Sequence, residues 1–105
     1  MRAGAVTDFP VGSWTLKGGV IVAQDASGFY AFSAICTHQG CTIGAPNNSG
    51  TSTCPCHGSE FDGNGNVIVG PATAPLPHFA VHVCEGNVFV DAKKSIDPTT
   101  RTPAA

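Results

Sequence analysis

The sequence predicts a small all-β domain, an antiparallel β-sandwich or open barrel with an inserted loop subdomain. The 105-residue chain contains 13 glycines and 8 prolines but only 11% charged residues, a composition typical of many tight turns. Its apolar runs have the length of strands, and none shows convincing helical periodicity. A chain of this length fits a single domain, residues 1–105, with a modest core.

The first half of the chain predicts an edge strand and a hairpin. Residues 9–14 suit an edge position because they include a proline, which is tolerated there but not in a central strand. After the Gly18-Gly19 turn, we expect strands at 20–24 and 29–35, joined by a four-residue loop at 25–28. The N-terminal residues 1–8 carry little pattern and are expected to fray.

The second half begins with a long irregular segment, residues 36–58, which is punctuated by glycine, proline and asparagine. Such a loop inside a small domain is expected only where it is functional or cross-linked. Short strands at 60–62 and 67–69 flank a glycine-rich turn, and the three prolines of 70–77 predict a stiff, extended loop.

A last hairpin, 79–84 with 88–91, is expected to close the sheet begun by the first. The predicted organisation is therefore a base scaffold at 9–33 and 78–92 with an inserted subdomain at about 34–77. The polar tail at 93–105 is rich in proline and threonine and is expected to be flexible.

Charge and hydropathy exclude several classes of partner. The formal net charge of −2 is too small to attract nucleic acid or an anionic membrane. No apolar run approaches the roughly 20 residues that span a bilayer, so no transmembrane segment is predicted. The N-terminus lacks the basic start and apolar stretch of a secretory signal, and the chain is expected to be soluble as given.

Two short loops hold four of the five cysteines and two of the four histidines. Their pattern is Cys-x-His, a 15-residue gap, then Cys-x-x-His. Structural zinc usually takes pairs of cysteines and pairs of histidines, so this alternation is unusual for zinc, although a zinc site stays open. A [2Fe–2S] cluster explains the alternation if each loop sends its cysteine to one iron and its histidine to the other. The candidate ligands are Cys36, His38, Cys54 and His57.

The loops CTHQGC at 36–41 and CPCHGSEF at 54–61 resemble the paired loops of Rieske iron–sulfur proteins, specifically the high-potential, cytochrome bc-type subgroup. Residues 70–72 look like the proline loop of this family, and the resemblance covers about two-thirds of the chain. It implies a Rieske-like fold in which 34–77 binds one [2Fe–2S] cluster. It also implies a disulfide between Cys41 and Cys56, positions that Rieske ferredoxins generally do not fill with cysteine. Two free buried thiols are the alternative.

The resemblance also implies roles for the neighbours of the ligands. The Ser59 hydroxyl would bond a bridging sulfide and raise the potential, whereas Phe61 replaces a tyrosine that bonds a cysteine ligand. Gly40 and Gly58 would either let backbone N–H groups approach the sulfurs or simply make turns. The residues expected to face a quinol or a partner protein are His57, His38, Gln39 and Pro71.

The resulting hypothesis is a one-electron carrier related to a subunit of a quinol-oxidising respiratory complex, with any enzymatic activity belonging to that parent complex. A persistent disulfide predicts an extracytoplasmic location. The alternatives are a Rieske ferredoxin that serves an oxygenase and the small subunit of a periplasmic oxidase such as arsenite oxidase. Cys84 is expected to be an unreactive thiol, and a second metal site at His82 and Cys84 is the less favoured interpretation.

Overall fold

Two antiparallel sheets make up the computed structural model, which describes residues 1–37, 40–47, 49–56 and 58–103. A six-stranded sheet has the order β1-β9-β8-β4-β3-β2, and a three-stranded sheet has the order β5-β6-β7. Apart from one 3-10 turn at Val6–Asp8, no helix occurs in the part of the chain that the structure describes, which confirms the all-β prediction. The strands are β1 Arg2–Ala5, β2 Ser13–Lys17, β3 Val20–Asp25, β4 Gly28–Ser33, β5 Ser52–Thr53, β6 Glu60–Phe61, β7 Val67–Val69, β8 His78–Cys84 and β9 Asn87–Ile96.

The β3-β4 hairpin forms a wall between two hydrophobic cores. Successive strand residues point to opposite faces, so each strand contributes to both cores. One face sends Ile21 and Phe32 into a core beneath the loops, which we call the site core, together with Cys36 and Cys54. The other face sends residues such as Phe29 into a base core with β1 and β9. The site loops therefore rest directly on a strand pair that is buried on both sides.

The three-stranded sheet is inserted between β4 and β8, which are themselves hydrogen-bonded neighbours in the large sheet. Its strands are only two or three residues long. A sheet this small cannot bury a core of its own, so it packs through Phe61 and Val67 onto the site core. The boundaries 34–77 for a cluster-binding subdomain stay a prediction.

The first hairpin differs in detail from the expected four-residue loop. β3 runs to Asp25 and β4 begins at Gly28, so only Ala26 and Ser27 make the turn. The Asp25 carboxylate explains the tightness, because its Oδ1 accepts the N–H groups of Ser27 at 2.8 Å and Gly28 at 3.2 Å. These side-chain bonds close the turn, so the loop has two residues instead of the expected four.

Residues near both ends of the chain pair with strands of the large sheet, while the frayed start and the flexible tail at 93–105 stay predictions. β1 pairs with β9, and β9 continues to Ile96 instead of stopping near residue 91. The following segment, residues 97–103, which we call the C-terminal strap, crosses back to β4. There, Phe29 and Thr102 exchange two backbone hydrogen bonds of 2.7 and 2.9 Å. The sequence did not predict these contacts because backbone groups make them, and the polar residues of this segment show no apolar pattern.

None of the described residues belongs to a helix that is long and apolar enough to cross a membrane.

Candidate metal centre

The first loop is the tip of a tight hairpin that continues from β4. Ile35 pairs with Thr42 in an isolated antiparallel bridge. Inside that bridge, the Cys36 N–H donates to the Cys41 carbonyl at 2.7 Å, and the Gly40 N–H donates back to the Cys36 carbonyl at 2.9 Å. We call residues 34–43 hairpin 1. The two bonds fix the backbone of Cys36 without help from a helix or a long strand.

The second loop repeats the same arrangement 18 positions later. Thr53 pairs with Glu60, the Cys54 N–H donates to the Ser59 carbonyl at 2.7 Å, and the Gly58 N–H donates to the Cys54 carbonyl at 3.0 Å. We call residues 52–61 hairpin 2. The sequence interpretation found no internal repeat. The available signal was the pattern Cys-x-x-x-Gly, which occurs at 36–40 and again at 54–58.

The repeat gives the two predicted cysteine ligands equivalent positions. Cys36 is 2% exposed and Cys54 is 1% exposed, and both belong to the site core. Both are thiols, whereas Cys41 and Cys56 are disulfide-bonded. Each of these cysteines directly follows a strand-paired residue, Ile35 before Cys36 and Thr53 before Cys54, so their backbones have matching positions.

The disulfide between Cys41 and Cys56 links the two hairpins, as the family resemblance implied. Its Cα atoms are 6.5 Å apart. Among the described residues, one group of three metal-ligating side chains lies close together: the sulfurs of Cys41, Cys54 and Cys56 are within 4.8 Å of one another. Two of these sulfurs are in the disulfide, so Cys54 is the one thiol of the group that can bind a metal.

Gly40 and Gly58 each lie in the turn of their hairpin. Their φ angles are +72° and +76°, a region that glycine adopts without strain. Each N–H is already bonded to the carbonyl of the preceding cysteine in its hairpin. These glycines therefore shape the loops, and an approach of their N–H groups to the cluster sulfurs stays a prediction.

Ser59 is fully buried and has a hydroxyl in a suitable state to donate. The Ala72 N–H donates to Ser59 Oγ at 3.0 Å, so the oxygen acts as an acceptor there and its own proton stays available. Phe61, the last residue of hairpin 2, is also fully buried and belongs to the site core. Its ring has no polar atom, which is the property that separates it from the tyrosine implied at this position.

The extended loop at residues 70–77 is attached to both hairpins. It includes residues 70–72, and we call the whole loop the proline loop from here on. It receives the Thr37 hydroxyl of hairpin 1 at the Ala74 carbonyl, 2.7 Å away, and it donates the Ala72 N–H to Ser59 of hairpin 2. Pro71 is exposed beside these contacts. The loop therefore links the two hairpins a second time, on the chain that leads into β8.

The far end of hairpin 2 is anchored to the large sheet through the turn after β6. The Gly63 carbonyl accepts from Trp14 Nε1 and from the Tyr30 hydroxyl, each at 2.9 Å. The Asn64 carbonyl accepts from His78 Nε2 at 2.7 Å, which fixes the proton on that nitrogen. Burial lowers the pKa of His78, although the bond to Asn64 opposes this, and so favours the neutral ring.

The C-terminal strap adds Arg101 to this anchor. Its guanidinium lies 3.7 Å from the centre of the Tyr30 ring, pairs with Asp25 at 2.7 Å and donates to Asn64 Oδ1 at 2.9 Å. Burial opposes ionisation of Asp25, but the bonds from Arg101 and the turn amides outweigh it and lower the pKa of the carboxyl. The sequence did not predict this cluster because its members are far apart in the chain.

Several predicted site residues lie outside the described part of the structure: His38, His57 and Gln39. Their proposed roles depend on spacing and resemblance. The alternative site at His82 and Cys84 gains no support. Cys84 is exposed, the His82 ring packs 5.3 Å from Phe89, and neither belongs to a group of metal-ligating side chains among the described residues.

The arrangement can hold a metal cluster at the tips of two hairpins. It provides one buried thiol from each hairpin, a disulfide and a proline loop that restrain them, and a buried hydroxyl beside them. Thiolates are the ligands that iron–sulfur clusters require. The two buried thiols, Cys36 and Cys54, therefore fit the cysteine ligands of such a cluster.

The chain was compared with known proteins. The family model of the Rieske [2Fe-2S] domain matches residues 3–80. The cytochrome b6-f complex iron-sulfur subunit of Synechococcus sp. (strain CC9605) is 47% identical over 73 residues, which are 68% of this chain and 40% of that protein. The subunit of the same name from Prochlorococcus marinus (strain NATL1A) is 36% identical over 110 residues, covering 95% of this chain and 61% of the relative.

A solved structure agrees with these matches. The plasma membrane Rieske protein PetC3 from Synechocystis PCC 6803 superposes with a TM-score of 0.72 at 33% identity, covering 88% of this chain and 99% of that one. The chain spans between two-fifths and about three-fifths of the length of the curated relatives named above. Because the family model covers most of the chain and the hairpins carry the cysteines of the motif, the chain belongs to the Rieske [2Fe-2S] domain family.

Proposed function

We propose that this chain binds one [2Fe–2S] cluster and transfers single electrons. Cys36 and His38 of hairpin 1, with Cys54 and His57 of hairpin 2, are the proposed ligands. When bound, the cluster supplies reversible storage of one electron. The protein residues position it, exclude water from its cysteine side and set its potential.

The repeated hairpin is the observation that carries this proposal. Two segments of different sequence adopt the same pattern of backbone hydrogen bonds, and each presents one buried cysteine at the same position. A binuclear cluster needs ligands from two sides, which a pair of equivalent hairpins provides. The proposed histidine ligands follow their cysteines in the sequence by two and three residues.

The charge distribution supports mixed ligation. Residues 26–59 and 63–84 contain no aspartate, glutamate, lysine or arginine. A buried charge without a partner is costly. Two ferric ions, two sulfides and two thiolates sum formally to zero, whereas four thiolates would leave two negative charges. A neutral oxidised cluster suits surroundings that offer no lysine or arginine in these segments.

We further propose that the chain works on the extracytoplasmic side of a membrane, in a quinol-oxidising complex. The disulfide supports an oxidising compartment. The curated relatives are named as subunits of the cytochrome b6-f complex, and the matched solved structure is named as a plasma membrane Rieske protein. A quinol or a redox protein is the proposed partner, and Pro71, an exposed residue, is among the residues proposed to face it.

The two alternatives are a Rieske ferredoxin for an oxygenase and the small subunit of a periplasmic oxidase. The disulfide between the hairpins favours the first proposal over a ferredoxin, which by resemblance generally lacks these cysteines. Phe61 is compatible with the oxidase subunit. Reduction by quinol analogues in the presence of the membrane complex distinguishes these possibilities.

The test is spectroscopy of the purified protein. We expect a coloured protein with two irons and two acid-labile sulfides per chain. Its reduced form should give the low-average-g paramagnetic signal of mixed nitrogen and sulfur ligation. Cys36→Ser and Cys54→Ser should each abolish or strongly reduce the signal, because each removes one thiolate.

Cys84→Ser is the matched control, since Cys84 is an exposed thiol on β8 away from the hairpins. It should leave metal content and spectrum unchanged. A colourless protein that contains zinc, or a signal typical of four-cysteine ligation, would refute the proposal.

A further inference from the structure

Ser52 has a buried hydroxyl that lacks a partner. The residue is 2% exposed, and its Oγ is the one buried side-chain nitrogen or oxygen without a hydrogen bond among the described residues. Buried polar groups in folded proteins are nearly always hydrogen-bonded, because an unsatisfied one retains its desolvation cost. A missing partner at this position therefore requires an explanation.

The position of Ser52 points to the metal centre. Ser52 begins β5 and precedes Cys54 by two residues, and alternate residues of a strand share one face. Burial follows this alternation, since Ser52 and Cys54 are buried and Thr53 between them is exposed. The cross-strand partner of Ser52 is Phe61, which contributes to the site core together with Cys54.

Hairpin 1 provides an internal control for the need for a hydroxyl. The residue equivalent to Ser52, two positions before Cys36, is Ala34, and it is fully buried. The hairpin backbone therefore forms equally well with a methyl group at this place. The hydroxyl of Ser52 is not required by the fold of the hairpin.

We propose that the Ser52 hydroxyl donates a hydrogen bond to a sulfide of the cluster on the side of Cys54, and so raises the reduction potential. This inference rests on the proposed function. A cluster sulfur is an acceptor that this buried oxygen lacks without the cluster. Reduction adds negative charge to the sulfurs, so a donor stabilises the reduced form more than the oxidised form. Ser52 is therefore a tuning residue of hairpin 2 that hairpin 1 does not have.

The experiment compares the midpoint potential and the pulsed paramagnetic resonance spectrum of Ser52→Ala and Ser52→Thr with the parent protein in D2O. Ser52→Ala should reduce the equilibrium constant for reduction by about three- to tenfold, which is about 30–60 mV at 59 mV per tenfold. It should also lose one exchangeable deuteron coupling. Ser52→Thr keeps the hydroxyl and should retain both. Ser49→Ala, at an exposed serine, is the matched control and should change neither.

An unchanged potential in Ser52→Ala would overturn the inference. A shifted potential with the deuteron coupling retained would also overturn it, because repacking alone would then explain the shift. These outcomes differ from failure of the proposed function, in which the parent protein itself would give no cluster signal.

Discussion

Hairpin 1 and hairpin 2 share a backbone but differ in how they are held. Hairpin 1 continues directly from β4, a strand with both faces buried. Hairpin 2 belongs to the small sheet and is tied to the large sheet by side chains that bond the Gly63-Asn64 turn. Hairpin 1 is therefore held as an extension of a buried strand, whereas hairpin 2 is held by the packing of Phe61 and by individual polar contacts.

The equivalent positions also carry different chemistry. Position 41 of hairpin 1 is a disulfide cysteine, whereas the equivalent residue of hairpin 2 is Ser59, which bonds the proline loop. Ala34 of hairpin 1 corresponds to Ser52 of hairpin 2. The repeated backbone thus gives the two buried cysteines matching positions, while the residues that restrain the loops, and those proposed to tune the site, differ between the hairpins.

Removing the covalent link between the hairpins should have the largest effect on stability. The disulfide closes a 15-residue separation, for which chain entropy predicts about 3 kcal/mol. We expect the double variant Cys41→Ala/Cys56→Ala to lose about this much free energy of unfolding, measured by denaturant titration. Cys84→Ala, which removes an exposed thiol, should behave like the parent. Equal midpoints for all three proteins would contradict a stabilising role for the disulfide.

The second prediction tests whether the two hairpins are equivalent. Gly40→Ala and Gly58→Ala each force an alanine to a φ near +75°, although no atom of the described residues lies within 4 Å of the added Cβ. We expect each variant to lose about 1–2 kcal/mol of stability, because only the backbone conformation is strained. Gly44→Ala, which also has open space but no positive φ, should lose little or none. Clearly unequal losses at Gly40 and Gly58 would show that the two turns contribute differently to stability, although their backbone hydrogen bonds match.

The third prediction concerns the chemistry that differs between the hairpins. Ser59→Ala should lower the midpoint potential and Phe61→Tyr should raise it, each by up to about 60 mV, since one removes a donor and the other adds one. Protein-film voltammetry measures both. Ser33→Ala is the control: Ser33 Oγ accepts the Ile35 N–H at the base of hairpin 1, so stability should fall without a change in potential. Unchanged potentials in both test variants would contradict the proposal that the residues at positions 59 and 61 set the midpoint potential.

Local sequence signals predicted most of the fold near the site. The β3-β4 pair was recognised from its apolar runs, and residues 63–66 were recognised as a turn from their glycines and asparagines. The fold class and the family were confirmed. Short-range patterns identify these features because each depends on residues that are close in the chain.

Long-range polar contacts could not be predicted in the same way. Arg101 pairs with Asp25 across 76 positions, and β9 resumes its pairing with β8 after an irregularity, where Ser95 faces Phe79. The residues of this part of β9 are polar and mostly exposed, so no apolar period marks them. The orphan hydroxyl of Ser52 was missed for a related reason, since an isolated serine in a turn-rich segment carries no signal.

The attachment of both chain ends has a mechanical consequence. β1 is bonded to β9, and the C-terminal strap is bonded to β4, so tension applied between the two ends passes across the sheet through β9, β8 and β4. Residues 34–77 lie between β4 and β8 in the chain and stay outside this load path as long as the pairing of those strands holds. Pulling on the ends would thus strip the strap and the outer strands before it disturbed the hairpin tips.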